Sequence, residues 1–375
     1  MMNLKFDRNE LSGAFGDIGT DLPLLVGLTL ASGLGASNVF FMFGLMQILS
    51  GAFYGLPMPV QPLKAVAIIA ISQKLSGDII LGAGIAIGII MLFLTLTGLI
   101  NWISKVIPNN VIRGIQFGLG VNLVLLAVNK YVPADGLNGY ILSIISCLIV
   151  IVLFGNRKLP PALPVILLGF VYAFFFQVEP LSIIQSFGFE LPNAHIPNFQ
   201  NVVIGFMILA LPQIPLSLTN SILATQKVSE DLFPEKKLKV KNISYTYSFM
   251  NILNPFFGGV PVCHGSGGMM GHFTFGARTG GSVFIYGVLY LIIGLFFSQR
   301  FDDFVRIFPL PILGVILVFE GLALAKLIKK TSTRNDLFIA LLVGFIAIGL
   351  NYGYLIGLIL GTILHYALIV RINKI

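Results

Sequence analysis

The sequence predicts an all-α polytopic membrane protein, and composition and hydropathy carry this prediction. Of its 375 residues, 56% are hydrophobic and only 10% are charged, and the mean hydropathy is +0.94. Soluble domains carry about 25% charged residues. Apolar runs close to the ~20 residues that cross the hydrocarbon core of a bilayer recur along the whole chain. This pattern leaves no room for a sizeable soluble domain.

Fourteen spans are predicted, seven in each half of the chain. The first repeat covers residues 1–178 and the second residues 199–375. Because seven is odd, the halves would enter the membrane from opposite sides, which is the inverted-topology plan common among secondary transporters. The predicted spans lie at 12–32, 37–56, 60–75, 79–101, 109–129, 138–155 and 161–178, and at 199–226, 242–258, 262–276, 280–298, 309–328, 335–350 and 353–371.

The distribution of basic residues predicts that both termini are cytoplasmic. If the chain starts inside and crosses at every span, eighteen Lys and Arg residues lie inside, and Lys64 lies within the membrane. Only Lys74, Lys130, Arg300 and Arg306 lie outside. The positive-inside rule requires this asymmetry, and it also explains the net charge of +8 without a nucleic-acid partner. We therefore expect a multi-pass protein of the cell membrane, in contact with lipid.

The third span of each half is interrupted by one Gly/Pro-rich stretch. The two stretches are GLPMPVQPLKA (residues 55–65) and GGVPVCHGSGGMMGHFTFGARTGGS (residues 258–282). Each begins with a short extended segment and then enters a shortened helix, from about Gln61 and about His264. A helix that begins inside the membrane points free N–H groups and about half a positive charge into the protein. We predict two half-helices, spans 3 and 10, whose ends form an anion site; the alternative is kinking for packing alone.

Polar side chains inside the membrane identify candidate site residues, because such side chains are costly there. Lys64 would add positive charge near an anion; its alternative is snorkelling to a water-filled cleft. Gln213, between two prolines, would present an amide N–H to an oxyanion, or else bond to a neighbouring helix. His264 could donate to the anion, titrate, or be a satisfied core residue. Gly265, Gly267 and Gly268 would let a ligand approach the backbone closely.

The predicted first span contains two carboxylates and a hydroxyl in GAFGDIGTDLP. Asp17 would repel an anion, so three other roles are open: carrying a coupling proton, pairing with Lys64, or holding a broken first helix together. Asp21 is a second candidate for a polar group in the core. Thr20 is a hydroxyl donor from the same segment. Glu320, in the twelfth span, is predicted to lie away from both interruptions and to have an interhelical partner.

Neither a cofactor nor a metal is predicted. Cys147 and Cys263 lie in apolar segments without metal-ligand spacing, and a structural disulfide is not expected. An enzyme using Cys263 and His264 would need a spatial nucleophile–base pair with an orienting third group. The sequence indicates no such group, so the chain is not predicted to be an enzyme.

Four motifs resemble the signatures of the molybdate transporter family, a branch of the sulfate permease superfamily. In order they are GAFGDIGTDLP, GLPMPVQPLKA, LPQIPLSLTNSILAT and PVCHGSGGMMGHFTFGARTG. The resemblance covers essentially the whole chain and implies a core domain of approximately 12–101 plus 199–298. It implies a gate domain of approximately 109–178 plus 301–375. The resemblance to the molybdate branch implies that the C-terminal cytoplasmic regulatory domain of many sulfate permeases is not expected here.

The same resemblance implies a substrate site between spans 3 and 10. The implied substrate-binding residues are Gln61, Lys64, Gln213, Cys263, His264, Gly265, Ser266 and Thr20. The implied function is secondary active import of a tetrahedral oxyanion, molybdate first, by alternating access. Sulfate import is the nearest alternative, and an anion channel is a further one. Proton coupling is a hypothesis, since a dianion must enter against an inside-negative potential. Related permeases form dimers, so a homodimer is an expectation.

Overall fold

The computed structural model describes most of the chain and consists mainly of helices. The described residues are 4–100, 106–153, 161–177, 187–299, 301, 309–331 and 333–372. Some basic residues used for the predicted orientation lie outside them, namely Lys105, Arg157, Lys158, Arg300, Arg306 and Lys374.

Seventeen α-helices and two short strands make up the fold within these residues. In chain order the helices are α1 (Arg8–Ala14), α2 (Ile18–Ser32), α3 (Ala36–Tyr54), α4 (Lys64–Gln73), α5 (Gly77–Thr97), α6 (Asn109–Leu126), α7 (Gly136–Val152), α8 (Ala162–Phe176), α9 (Phe199–Gly205), α10 (Leu211–Leu216), α11 (Ala224–Leu232), α12 (Val240–Leu253), α13 (Ser266–Thr274), α14 (Gly281–Phe296), α15 (Leu310–Lys326), α16 (Arg334–Gly349) and α17 (Gly353–Ile372). The strands are β1 (Val60–Pro62) and β2 (Val262–His264).

The prediction of a mostly helical fold is confirmed, and each predicted segment contains at least one helix. By length and apolar composition, five helical stretches in the described part of the chain could each cross a membrane. The number is six if α1 and α2 form one bent span. The count of fourteen membrane spans stays a prediction.

Two predicted spans have a different local structure. The span predicted at 12–32 is divided into α1 and α2, which meet at an angle of 44°. At this break Gly16 lies against the backbone of Gly271 in α13. The span predicted at 199–226 continues to Leu232 and contains wide π-helical turns on both sides of α10. Pro212 and Pro215 lack backbone N–H donors there, which is a physical reason for irregular helical turns.

The helices pack as two groups. In the first helix group (α1–α5 and α9–α14), α3 packs against α14, and α5 packs against α9 and α12. In the second helix group (α6–α8 and α15–α17), α6 packs against both α15 and α16. Contacts between the groups run mainly through α2, α4 and α10. One main hydrophobic core extends through both groups.

Glycines allow α3 and α14 to approach closely. A Cβ atom at Gly44 would lie 2.6 Å from the Gly287 carbonyl oxygen, and a Cβ at Gly287 would lie 2.6 Å from that of Gly44. Farther along, a Cβ at Gly51 would lie 2.5 Å from the Gly280 carbonyl oxygen. Small residues let helix backbones pack closely in membrane proteins, where dispersion contacts rather than water exclusion hold helices together. This contact therefore anchors the first helix group.

We predict that Gly287→Leu lowers the thermal stability of the purified protein, because the new side chain would push α14 away from α3. Overpacking of this kind costs about 1–3 kcal/mol. The matched control is Gly349→Leu, since a Cβ at Gly349 has no atom within 4 Å. Equal unfolding temperatures for the two variants would contradict this packing.

Candidate functional site

Two paired strands join the interrupted stretches of the two halves. β1 and β2 are antiparallel, with Gln61 opposite Cys263. The pairing continues past β2, where the Gly265 N–H donates to the Pro59 carbonyl over 3.3 Å. Extended backbone in an apolar interior needs partners for its N–H and C=O groups. The extended segment of each half provides hydrogen-bond partners for the extended segment of the other half.

A short helix follows each strand. α4 has ten residues and α13 has nine. They begin at Lys64 and Ser266, slightly later than predicted, because the residues before them belong to the strands. Since the two strands lie side by side, the N-terminal ends of both helices lie near the same point.

A cavity of about 260 Å³ lies at this point. Seven of the eight residues implied by the resemblance line it, namely Gln61, Lys64, Gln213, Cys263, His264, Gly265 and Ser266. Thr20, Asp17 and Asp21 are not among the lining residues. The remaining lining residues are Gln116, Leu119, Leu216, Asn220, Ser221, Gly267, Leu324 and Leu327.

Gln213 caps the N-terminus of α4. Its Oε1 accepts hydrogen bonds from the backbone N–H groups of Ala65 (3.0 Å) and Val66 (3.4 Å). Its Nε2 donates to Ser217 Oγ over 3.0 Å. The prediction that both helices offer free amides to an anion is therefore wrong for these two amides of α4. A buried side-chain amide acceptor satisfies them instead.

The N-terminus of α13 is open. Within the described part of the chain, the backbone N–H groups of Ser266, Gly267 and Gly268 have no hydrogen-bond partner. A Cβ at Gly267 would have no atom within 4 Å, whereas a Cβ at Gly265 would lie 2.2 Å from Gln61 Cδ. Gly265 therefore packs against a protein side chain, and Gly267 is the glycine with open space beside it.

Asp17 lies between the break in the first helix and the start of α13. Its Oδ2 accepts a hydrogen bond of 2.6 Å from Gln61 Nε2. A Cβ at Gly268 would lie 2.1 Å from the same oxygen, so the carboxyl group packs against the first turn of α13. Asp17 forms no direct ion pair with Lys64 within the described residues, because the Lys64 ammonium group pairs with Glu320. Asp17 contacts the site through Gln61.

Lys64 forms an ion pair with Glu320. The contact joins the first residue of α4 to the middle of α15 and so connects the two helix groups. The side chains are 32% and 19% exposed, respectively. The prediction that Glu320 lies away from both interruptions is wrong, although the expected interhelical partner is present. A cation inside a membrane protein requires a counter-ion, and α15 supplies it.

His264 is a buried residue with local partners. Its Nε2 lies 2.7 Å from Thr246 Oγ1, and its ring packs edge-on against Tyr54 with centroids 5.3 Å apart. Asp21 lies deeper in the first helix group, where its Oδ2 accepts a hydrogen bond of 3.2 Å from the Tyr286 hydroxyl. These contacts hold both side chains within the first helix group, and His264 Nδ1 and Asp21 Oδ1 have no hydrogen-bond partner among the described residues.

Sequence reasoning missed the wall that the second helix group contributes. Gln116 and Leu119 come from α6, while Leu324 and Leu327 come from α15 and the turn after it. Gln116 Oε1 accepts a hydrogen bond of 2.8 Å from Arg113, and its Nε2 has no partner within the described residues. Gln116 is a polar amide inside an apolar helix, and the same feature identified Gln213 as a candidate site residue.

The sequence of the chain is similar to those of several transporters. A family model described as a molybdate transporter of the MFS superfamily matches residues 9–123 and 205–324. Molybdate transporter 1 of Arabidopsis thaliana is 33% identical, over 96% of this chain and 88% of the relative. Molybdate transporter 2 of the same plant is 35% identical, over 89% of this chain and 81% of the relative.

Solved structures with a similar fold include two anion transporters. The transmembrane domain of a cyanobacterium bicarbonate transporter, BicA, matches with a TM-score of 0.66 at 16% identity, covering 94% of this chain and 97% of that one. The murine Solute Carrier 26 family member A9 anion transporter, solved in an inward-facing state, matches with a TM-score of 0.72 at 11% identity. It covers 99% of this chain and 69% of that one. At these identities the likeness shows a shared fold.

We predict that Gln213→Ala lowers the thermal stability of the purified protein, because two amides of α4 lose their acceptor. Loss of a helix cap costs about 0.5–2 kcal/mol. Gln213→Glu keeps an acceptor and should unfold close to the wild-type temperature. The control is Gln226→Ala, a half-buried glutamine that caps no helix and whose Nε2 donates to Glu230 Oε1 (2.9 Å) and to the Leu238 carbonyl (3.4 Å). A Gln213→Ala protein as stable as the control would contradict the capping role.

Proposed function

Since the chain belongs to the molybdate transporter family, we propose that it imports a tetrahedral oxyanion, molybdate first, as a secondary active transporter. The named relatives are transporters, and the chain is a non-enzyme membrane protein of the same kind. Its fold is that of known anion transporters.

One observation carries the proposed binding site: the open N-terminus of α13 borders the same cavity as Lys64. Helix N-termini bind anions because free N–H groups and the helix dipole act together. The cavity of about 260 Å³ is far larger than the ~15 Å³ that holds one water molecule. There is room for a small oxyanion with water. Gln61, Cys263 and Ser266 would complete its surroundings.

The proposed architecture is fourteen spans in two inverted repeats, with both termini in the cytoplasm. The first helix group corresponds to the core domain (approximately 12–101 plus 199–298) and the second to the gate domain (approximately 109–178 plus 301–375). The pairing of β1 with β2, one strand from each half, supports this assignment. Alternating access would move the core against the gate and expose the cavity to each side in turn.

The charges around the cavity support proton coupling. With Asp17 and Glu320 ionised, their two negative charges are balanced by Lys64 and by about half a positive charge from each of the two helix N-termini. A dianion would add two more negative charges. Protonation of Asp17 would remove one negative charge from the cavity. One carboxyl oxygen could still accept the hydrogen bond from Gln61. Proton entry would also offset the ~2.3 kcal/mol per charge that a potential of 100 mV imposes.

Sulfate import is the second candidate, because the lining groups recognise charge and tetrahedral shape. Sulfate and molybdate differ mainly in size. Uptake of labelled molybdate into proteoliposomes, with unlabelled sulfate as competitor, separates the two substrates. Molybdate transport that resists excess sulfate supports the proposal, and efficient displacement by sulfate supports the alternative.

We predict that Gly267→Leu folds normally and loses at least tenfold in molybdate affinity, because its side chain would occupy the open space at the α13 terminus. Isothermal titration calorimetry on purified protein measures the affinity, and thermal unfolding reports on folding. Gly349→Leu is the control, since it adds the same side chain at another open glycine. Normal molybdate affinity in Gly267→Leu would refute this placement of the site.

Proton coupling through Asp17 would make uptake depend on the proton gradient. Molybdate uptake into proteoliposomes by the wild type should fall when a protonophore collapses an inward proton gradient. In Asp17→Asn the amide oxygen still accepts from Gln61, so the protein should fold, but uptake should no longer respond to the gradient. Asp231→Asn, on the exposed end of α11, should behave as the wild type does. Wild-type uptake that ignores the gradient would exclude coupling.

A further inference from the structure

The ion pair between Lys64 and Glu320 connects the proposed substrate site to the second helix group. We infer that Glu320 is a positioning residue that acts through Lys64: it holds the ammonium group, and a bound oxyanion displaces it. The pair would then be a latch between the two helix groups that substrate releases. This inference rests on the proposed function and adds a residue and a step to it.

Lys64 is placed so that its side chain can reach both Glu320 and an anion in the cavity. It is the first residue of α4 and lines the cavity, whereas Glu320 lies on α15 and is not a lining residue. A lysine ammonium has three N–H donors on a flexible four-carbon stem. Rotation of that stem can move the ammonium group from Glu320 toward an anion at the α13 terminus without moving the backbone.

Charge decides which partner holds Lys64. At equal distance and dielectric constant, a dianion attracts the ammonium group twice as strongly as a carboxylate does. The free N–H groups of Ser266 and Gly267 hold the anion in place. Competition therefore favours the anion, but its affinity is reduced by the free energy needed to separate Lys64 from Glu320.

Within the described residues, Glu320 has no second cation that could replace Lys64 as its partner. Among the residues that the structure describes, its only ion-pair partner is Lys64. The acids near it within the described residues are Asp17 and Asp21, which would act on Glu320 as like charges when ionised. A dianion at the site would repel Glu320 as well. Displacement would thus weaken the contact between α4 and α15, so that substrate occupancy favours relative motion of the two groups.

The first test is Glu320→Gln, which removes the competing charge and keeps the size of the side chain. Titration calorimetry with molybdate should show binding about tenfold tighter than in the wild type, while the maximal uptake rate in proteoliposomes falls. Asp231→Asn is the matched control, because it breaks the exposed Lys227–Asp231 pair (3.0 Å) by the same chemical change. Its affinity and rate should equal those of the wild type. Unchanged or weaker binding by Glu320→Gln would overturn the inference.

Hydrogen–deuterium exchange separates a latch from simple charge repulsion. In the wild type, exchange in α15 around Glu320 should rise when molybdate is added. In Glu320→Gln it should already be high without molybdate. Exchange in α15 that is the same in both proteins without ligand would overturn the latch.

A second variant and a comparison without ligand distinguish failure of this inference from failure of the proposed function. Glu320→Asp keeps the charge on a shorter side chain, so its affinity should lie between those of the wild type and Glu320→Gln; it carries the test if Glu320→Gln does not fold. If the wild type binds neither molybdate nor sulfate, the proposed function fails. The exchange comparison without ligand then still decides whether Glu320 holds the two helix groups together.

Discussion

The site depends on one constraint: extended backbone cannot be left unpaired in the interior of a membrane protein. β1 and β2 satisfy each other because they lie antiparallel. Their pairing fixes the register of Gln61 against Cys263 and sets where α4 and α13 begin. Since both helices leave this one small sheet, their N-terminal ends and the cavity between them follow from a backbone requirement, before any side chain is considered.

The two helix ends that result are not equivalent. Gln213 occupies two amides of α4, whereas the first three amides of α13 have no partner within the described residues. Asp17 lies in the predicted first span of the first half and packs against α13, which belongs to the second half. Gln213 lies in the predicted first span of the second half and caps α4, which belongs to the first half. A neutral amide caps its helix. The Asp17 carboxyl group bonds to Gln61 instead and leaves the first amides of α13 without partners among the described residues, which is why we propose the anion site at this end.

The charges around the cavity come from different parts of the fold. Lys64 belongs to the first helix group and Glu320 to the second, and Asp17 is connected to the cavity through Gln61. An anion that enters this arrangement changes the balance for all three groups together. In a polar cavity enclosed by apolar helices, such interactions are stronger than they would be in water. Under the proposed function, this arrangement would let substrate, proton and domain motion influence one another.

Composition, hydropathy and the Gly/Pro-rich stretches determined the helical membrane class, the positions of the helices and the segments that build the site. These features are local or periodic, so they can be read along the chain. The polar residues in apolar runs and the family motifs together named about half of the residues that line the cavity. Only the tertiary structure decided that Gln213 caps α4, that Gly265 packs against Gln61, and that Glu320 pairs with Lys64. Each is a contact between residues far apart in sequence, and its partner is chosen by how the helices pack. No spacing within the chain encodes that choice.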